Sequence, residues 1–586
     1  MRKSFLSLLP LLLVACGGGG GAGGGSSNTV ANETMNVAAC IAGSCTLPAT
    51  SVAINNRNTM LTVQNNRSTA AYVTLSNVGT NPAVAMMSLA EGANNLTAGT
   101  LSVYTTSSIQ LQNNVPSNVD KFNRQLASLL GRSQTAGSVR EARDVVQASG
   151  VPAGPLTVGL SSASWNAQVS GQDAAFSSTL LGQTALGNGQ NVNVWVAAGS
   201  GISQAQAQRM ATIFASRIYN PVVALIGEPW GTVPAVAQSS LIAGGNRDIH
   251  IVLHDITPDS QPYGIIGYFW GINNFTRSFL LQQPETASLK SNEQLVFFMD
   301  SATYGYSSDV NPLDSNKTLA WDENNPTPAV AITTLAHEFQ HMVQFYQKVV
   351  RHAANPLPLS ADDTWQNELA SQTVAYLLGQ QIYANAGTGN NDINPSELGY
   401  NSPHLNASGQ FAQSLGYGGC LMTSWGESSF DPCSATLHYP QALSFGMYLV
   451  HQYGPGILKE WVSSNKSGIA AVEAGLQAQG VTAGFYNVLK KWQQSVFLAA
   501  NPSLNLAGYG FPSRSDTING QDFSLKAVYP FRYSKTYRLD VSPVLSLQEP
   551  LTPYRIKVQT KVVNGDKIWL PANASLTLIT DSGLAF

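Results

Sequence analysis

The segment His337-Glu338-Phe339-Gln340-His341 constrains this chain more than any other. In an extended strand the two histidines would lie about 13 Å apart, too far to share a small partner. In an α-helix they stand one turn apart on the same face. Both imidazoles can then reach one divalent cation at the ~2.0–2.1 Å of a zinc–nitrogen bond. Glu338 falls beside the first histidine, where its carboxylate can reach a water at the cation without binding the metal itself. That is the position of a general base. Ile332, Leu335, Phe339, Met342, Phe345 and Tyr346 recur at helical spacing, which predicts a buried amphipathic helix over roughly residues 327–350.

A catalytic zinc takes three protein ligands and leaves one position open. A third histidine in the pattern H-E-x-x-H-x-x-G-x-x-H is excluded, because Gln344 and Gln347 occupy the last two positions. Downstream, Asn367-Glu368-Leu369-Ala370-Ser371 falls in a helix predicted over 362–382, which makes Glu368 the candidate third ligand. The element resembles the N-E-x-x-S of thermolysin-like enzymes, with one departure: Gln372 stands where those enzymes carry Asp. A carboxylate there would orient a ligand histidine. Gln372, a nearby acid such as Asp362 or Asp363, or a backbone carbonyl are the alternatives.

The wider run Ala336-His337-Glu338-Phe339-Gln340-His341-Met342, with Trp365, Asn367, Glu368 and Ala370, resembles the hyicolysin-like neutral metalloproteases. Residues 249–256, Gly267-Tyr268-Phe269 and Ser291-Asn292-Glu293 add to the likeness, which covers about residues 175–500. The resemblance implies a gluzincin-type peptidase acting on polypeptides. One Zn²⁺ would sit on His337, His341 and Glu368, with Glu338 passing a proton from water to the leaving amine. It also implies an α+β zincin-type core: a mixed sheet, an active-site helix and a mainly helical C-terminal subdomain. The oxyanion needs a donor besides the metal; Tyr439 is favoured over His438 and Tyr448. In such folds an edge strand pairs with the substrate backbone, and the strand expected over 293–300 is the candidate. The competing reading is a surface lipoprotein, an adhesin or structural protein with an inactive or structural zinc domain. Against it stands Glu338, which a purely structural site would not need.

Length and composition set the rest. A chain of 586 residues exceeds one core. Met1-Arg2-Lys3 and the apolar run 5–15 read as a signal peptide over 1–15, too short for a membrane span. Leu13-Val14-Ala15-Cys16 resembles a bacterial lipobox, with Cys16 acylated and the run 17–25 as a flexible tether in a linker over 16–45. Gly17 rather than Asp favours the outer membrane, so the expected location is the cell envelope. The remaining cysteines, Cys40, Cys45, Cys420 and Cys433, suggest two local disulfides in an oxidising compartment, although three pairings are open. A small β-module is expected over 46–112, a helical connector over 113–150, the metalloprotease domain over 151–522 and a second β-module over 523–586. Charged residues make up only 11 % of the chain, and no Lys/Arg run calls for nucleic acid. His250 and His254 read as structural, and His352 and His404 as loop residues.

Overall fold

In a computed structural model, the residues described are, apart from isolated positions, 31–88, 150–355, 364–383, 435–498, 504–527 and 556–581, together with Leu130, Met422, Thr423 and Trp425. Cys16, Cys420, Cys433, His404, Asp362, Asp363 and nearly all of the expected helical connector lie outside them.

The chain opens with five strands: β1 (Ala31–Asn36), β2 (Ala49–Ala53), β3 (Thr59–Gln64), β4 (Ala71–Ser76) and β5 (Ala83–Ser88). Alternation in β4, with Ala71, Val73 and Leu75 all fully buried, is the half-buried strand pattern. Cys40, in the short helix Val37–Ile41, is disulfide-bonded to Cys45 in the segment before β2.

The middle of the chain builds a six-stranded sheet from β6 (Ser162–Val169), β7 (Gln172–Ala185), β8 (Asn191–Ala197), β9 (Ile249–His254), β10 (Gly267–Phe269) and β11 (Leu295–Asp300). Their spatial order is β10-β11-β9-β8-β7-β6. β8, β9 and β11 run parallel, while β10 lies antiparallel to β11. The strand expected to form the edge, 293–300, is therefore interior. Every residue of Leu295–Asp300 is buried, as a continuous apolar run with sheet on both sides requires. The edge belongs to β10, whose three residues are too few for a sequence pattern to declare.

Helices cover one face of this sheet. The helix opened by Ser203, whose side chain and that of Gln206 form a reciprocal capping box, passes through a π-helical turn, Phe214–Tyr219, into Asn220–Ile226. Pro221 sits in the first turn of that last segment, where no N–H is needed. The histidine helix runs Pro326–Gln344 and ends in a second π-turn, Phe345–Val350. Its Ile332, Leu335, Ala336, Phe339 and Val343 are fully buried, and Phe339 packs edge-on against Phe214 at 5.0 Å. The long helices Thr364–Tyr383 and Ala435–Tyr453 follow. Two shorter helices come next, Ile457–Ser463 and Gly468–Ala478. Among the described residues no helix is long and apolar enough to cross a membrane.

Two hairpins, β12 (Val310–Asn311) with β13 (Asp314–Thr318) and β14 (Arg514–Ile518) with β15 (Gln521–Leu525), decorate this unit. Phe523 and Leu525 belong to its core, so a boundary at 523 would cut a hairpin in half. The chain ends with β16 (Ile556–Gln559), β17 (Lys567–Leu570) and β18 (Ala574–Ile579). These do not make a second module. They pair with the first five strands, giving sheets of order β1-β4-β17 and β16-β5-β18-β3-β2. The two β-modules read from the sequence are one, assembled from both ends of the chain.

Candidate metal centre

The histidine helix starts from a secured end. Pro326 occupies the first turn, and Asn325 makes no side-chain cap bond. Asp309 supplies the cap from a separate loop: its carboxylate accepts from the Thr327 N–H at 3.1 Å and from the Thr327 hydroxyl at 2.6 Å. A carboxylate there also opposes the positive end of the helix dipole.

Ten to fifteen residues later the helix delivers His337, Glu338 and His341, each less than one-tenth exposed. The helix Thr364–Tyr383 packs antiparallel against it and brings Glu368 between the two imidazoles. Glu368 Oε2 lies 3.2 Å from His337 Nε2, Glu368 Oε1 lies 3.5 Å from His341 Nε2, and the two Nε2 atoms are 3.0 Å apart. Bonds of ~2.0–2.1 Å in a tetrahedral arrangement would put ligand atoms about 3.3–3.4 Å from each other. The donor set and its spacing therefore fit a zinc ion, with a fourth position left for a non-protein ligand. Among the described residues, this is the one group of three His, Cys, Asp or Glu side chains that converges in this way.

Asn367 answers the orientation question left open by Gln372. Its Oδ1 accepts from His341 Nδ1 at 3.0 Å, which directs Nε2 toward Glu368. Ser371 Oγ lies 3.2 Å from His337 Nε2 and donates to the Glu368 carbonyl at 3.0 Å. Gln372 makes no hydrogen bond to either histidine among the described residues. Asn367 stood in the N-E-x-x-S element, but neighbouring helix positions point about 100° apart, so its reach to His341 rather than to solvent was decided by the packing of the two helices.

The electrostatics suit a cation. Burial disfavours protonation of His337, but the carboxylate of Glu368 outweighs it and the net shift is upward. Burial holds His341 down to about 4, so it presents a neutral imidazole at neutral pH. Burial pushes the Glu338 carboxyl up to about 7; His337 and the Phe269 N–H oppose the rise, and the Glu368 charge adds to it. A base whose pKa lies near the working pH is suited to accept and return a proton.

The edge strand borders this carboxylate. The Phe269 N–H hydrogen-bonds Glu338. A Cβ at Gly267 would sit 3.2 Å from Glu338 Cγ and 2.8 Å from Met299 Sδ, so only glycine leaves this space free. Tyr439, expected just before a helix, instead lies within Ala435–Tyr453. Its ring is half-buried, 6.4 Å from that of His337, and edge-on to Trp425 at 4.9 Å. His438 is buried, tilted against Trp425 at 5.3 Å. Tyr448 is not near the centre: it packs against Tyr453 and Phe511. His250 and His254 lie buried in β9, and His352 Nε2 bonds the Ser463 carbonyl at 3.1 Å.

Known proteins are similar to this chain in sequence. The neutral metalloprotease ShpI of Staphylococcus hyicus is 28 % identical over 181 residues, 31 % of this chain and 32 % of ShpI. The chain thus spans about a third of that relative's length. The family described as Peptidase M30 matches residues 172–581, from the second strand of the central sheet through the last strand of the terminal module, and the chain belongs to that family.

Proposed function

We propose that this protein is a zinc-dependent endopeptidase of the bacterial cell envelope, with His337, His341 and Glu368 as ligands of one ion and Glu338 as general base. The observation that carries the reading is the Glu368 carboxylate, brought from a separate helix to 3.2 and 3.5 Å from the two imidazoles. Membership of a peptidase family and the likeness to a neutral metalloprotease support the substrate class.

Zinc at this site would supply Lewis-acid chemistry, polarising a carbonyl and lowering the pKa of water from 15.7 toward ~7. The side chains do the rest. Glu338 accepts a proton from the attacking water on its carboxylate and returns it to the leaving nitrogen. The buried walls around it keep that exchange out of bulk water. A peptide lying along the outer edge of β10, where the Phe269 N–H is held by Glu338, is placed over Glu338. Tyr439, whose ring lies 6.4 Å from that of His337, is the candidate donor to the developing oxyanion. Attachment to the envelope through acylated Cys16 rests on the lipobox-like run ending at that residue.

The test uses residues 26–586. Purified protein should hold one zinc and cleave casein, and a chelator should stop cleavage. Glu338→Gln should keep the metal and lose hydrolysis by at least ~100-fold, the range for removal of a general base. Cleavage surviving in that variant would remove Glu338 from its role.

A further inference from the structure

The terminal β-module is interleaved. In the sheet ordered β16-β5-β18-β3-β2, strands from the two ends of the chain alternate. β18, buried along its whole length, has β5 on one side and β3 on the other. Among the described residues β16 pairs only with β5, and β17 pairs with β4. Without residues 31–88, β18 would have two bare edges and β16 and β17 no partner. The core is shared in the same way: Leu61, Val63, Val73 and Leu75 pack with Ile568, Leu570, Leu576 and Leu578. Side chains stitch the halves together. Buried Asn65 donates to the Leu570 carbonyl at 3.0 Å, and Asn58 donates to the Thr580 carbonyl at 2.7 Å.

One residue ties both halves to the peptidase unit. Gln494, on the helix Phe485–Leu498, is buried, and its Nε2 lies 2.9 Å from Thr62 Oγ1 and 3.1 Å from Thr577 Oγ1. Met60 and Ile579, again one from each end, pack with Leu498 and Leu504 beside it. The Peptidase M30 match takes in β16–β18 but not β1–β5, so the family's own segment ends in strands that this chain completes from outside it.

We infer that residues 31–88 are a permanent part of the working protein, held by strand pairing independently of the covalent connection through residues 89–149. The surface formed by β16–β18 and Gln494 is a binding site for that segment. Cutting the connector leaves a two-chain protein, not a released peptidase. Resting on the Cys16 anchor proposed above, the tether then keeps the enzyme on the envelope even after the connector is cut.

The experiment places a recognition sequence for a site-specific protease between residues 100 and 101 of the 26–586 protein, which lacks Cys16. After complete cleavage the two fragments should co-elute on a native sizing column and separate only in denaturant. Separation under native conditions would overturn the inference. In the same cut protein, Leu61→Glu should release the N-terminal fragment while the larger fragment keeps its zinc; retention despite that substitution would equally overturn it, since the pairing would not run through the sheet. A second arm cleaves the full chain in membrane vesicles. If the uncut chain fails to sediment with the vesicles, the anchor reading fails and the co-elution result stands by itself. If the uncut chain sediments but cleavage frees the peptidase fragment, the inference fails.

Discussion

Asn367→Ala isolates the hydrogen bond that aims a ligand. His341 is almost wholly buried, and its Nδ1 donates to Asn367 Oδ1 at 3.0 Å. Truncation leaves a buried N–H without its acceptor, at a cost of about 1–3 kcal/mol. At 1.4 kcal/mol per tenfold, that is roughly 5- to 150-fold in affinity. Removing groups that orient metal ligands characteristically costs about 10- to 100-fold. The two ranges agree, and we expect zinc to bind about 10- to 100-fold more weakly. Asn367→Asp supplies a stronger acceptor and should bind at least as tightly as the parent. The assay is competition for zinc with a chromophoric chelator at fixed pH and ionic strength. Gln372→Ala is the control, because that side chain reaches neither histidine; it should match the parent. Asn367→Ala binding within twofold of the parent, or Gln372→Ala losing as much, would refute the assignment of Asn367.

Gly267→Ala should retain zinc yet turn over casein about tenfold more slowly. Its Cβ would crowd Glu338 Cγ at 3.2 Å, and an ångström of misplacement can cost ~100-fold; unchanged kcat would show that Glu338 has room to move. Asp309→Ala removes the external cap of the histidine helix and should lower stability by about 1–2 kcal/mol, read as a lower denaturation midpoint at constant m-value. The pH profile of stability follows from three buried histidines. Burial holds His250, His254 and His451 each down to about 4, against 6.5 for the free side chain. Between those values the unfolded chain takes up protons that the folded chain refuses. Each of these histidines therefore removes about 3 kcal/mol of stability as pH drops from 6.5 to 4, offset in part by the carboxyls of Asp300 and Glu338, which burial raises so that they take up protons in the fold. Denaturant melts in the presence of a chelator, so that metal release does not contribute, should show a smaller decline in His451→Gln than in the parent; an equal decline in both would mean that this ring is charged in the fold.

The part of the site that is local in the chain was readable from the residues. Two imidazoles four positions apart, with a carboxylate between them, have their geometry set by helical pitch, and the buried Ile332, Leu335 and Phe339 made the helix legible as a 3.6-residue period. Glu368 was readable as a candidate because an N-E-x-x-S element stood in a helical context. What no spacing could state was that its carboxylate closes to 3.2 Å on His337, since that distance depends on how two helices pack. The same limit hid Asp309, whose capping role joins residues 18 positions apart, and it hid β10, whose three residues carry too little pattern to mark an edge.

The terminal strands make the contrast sharpest. Period-two alternation in Ala71–Ser76 and in Ala574–Ile579 determined strand at both ends of the chain, because side-chain alternation is a property of each strand alone. Which strand lies beside which is decided by the sheet as a whole. Backbone N–H and C=O groups accept any partner in register, so local sequence carries almost no record of pairing across some 500 residues. Only the shared core between β3, β4, β17 and β18, where buried side chains from both ends must fill one space, selected the interleaved order that makes one module out of two.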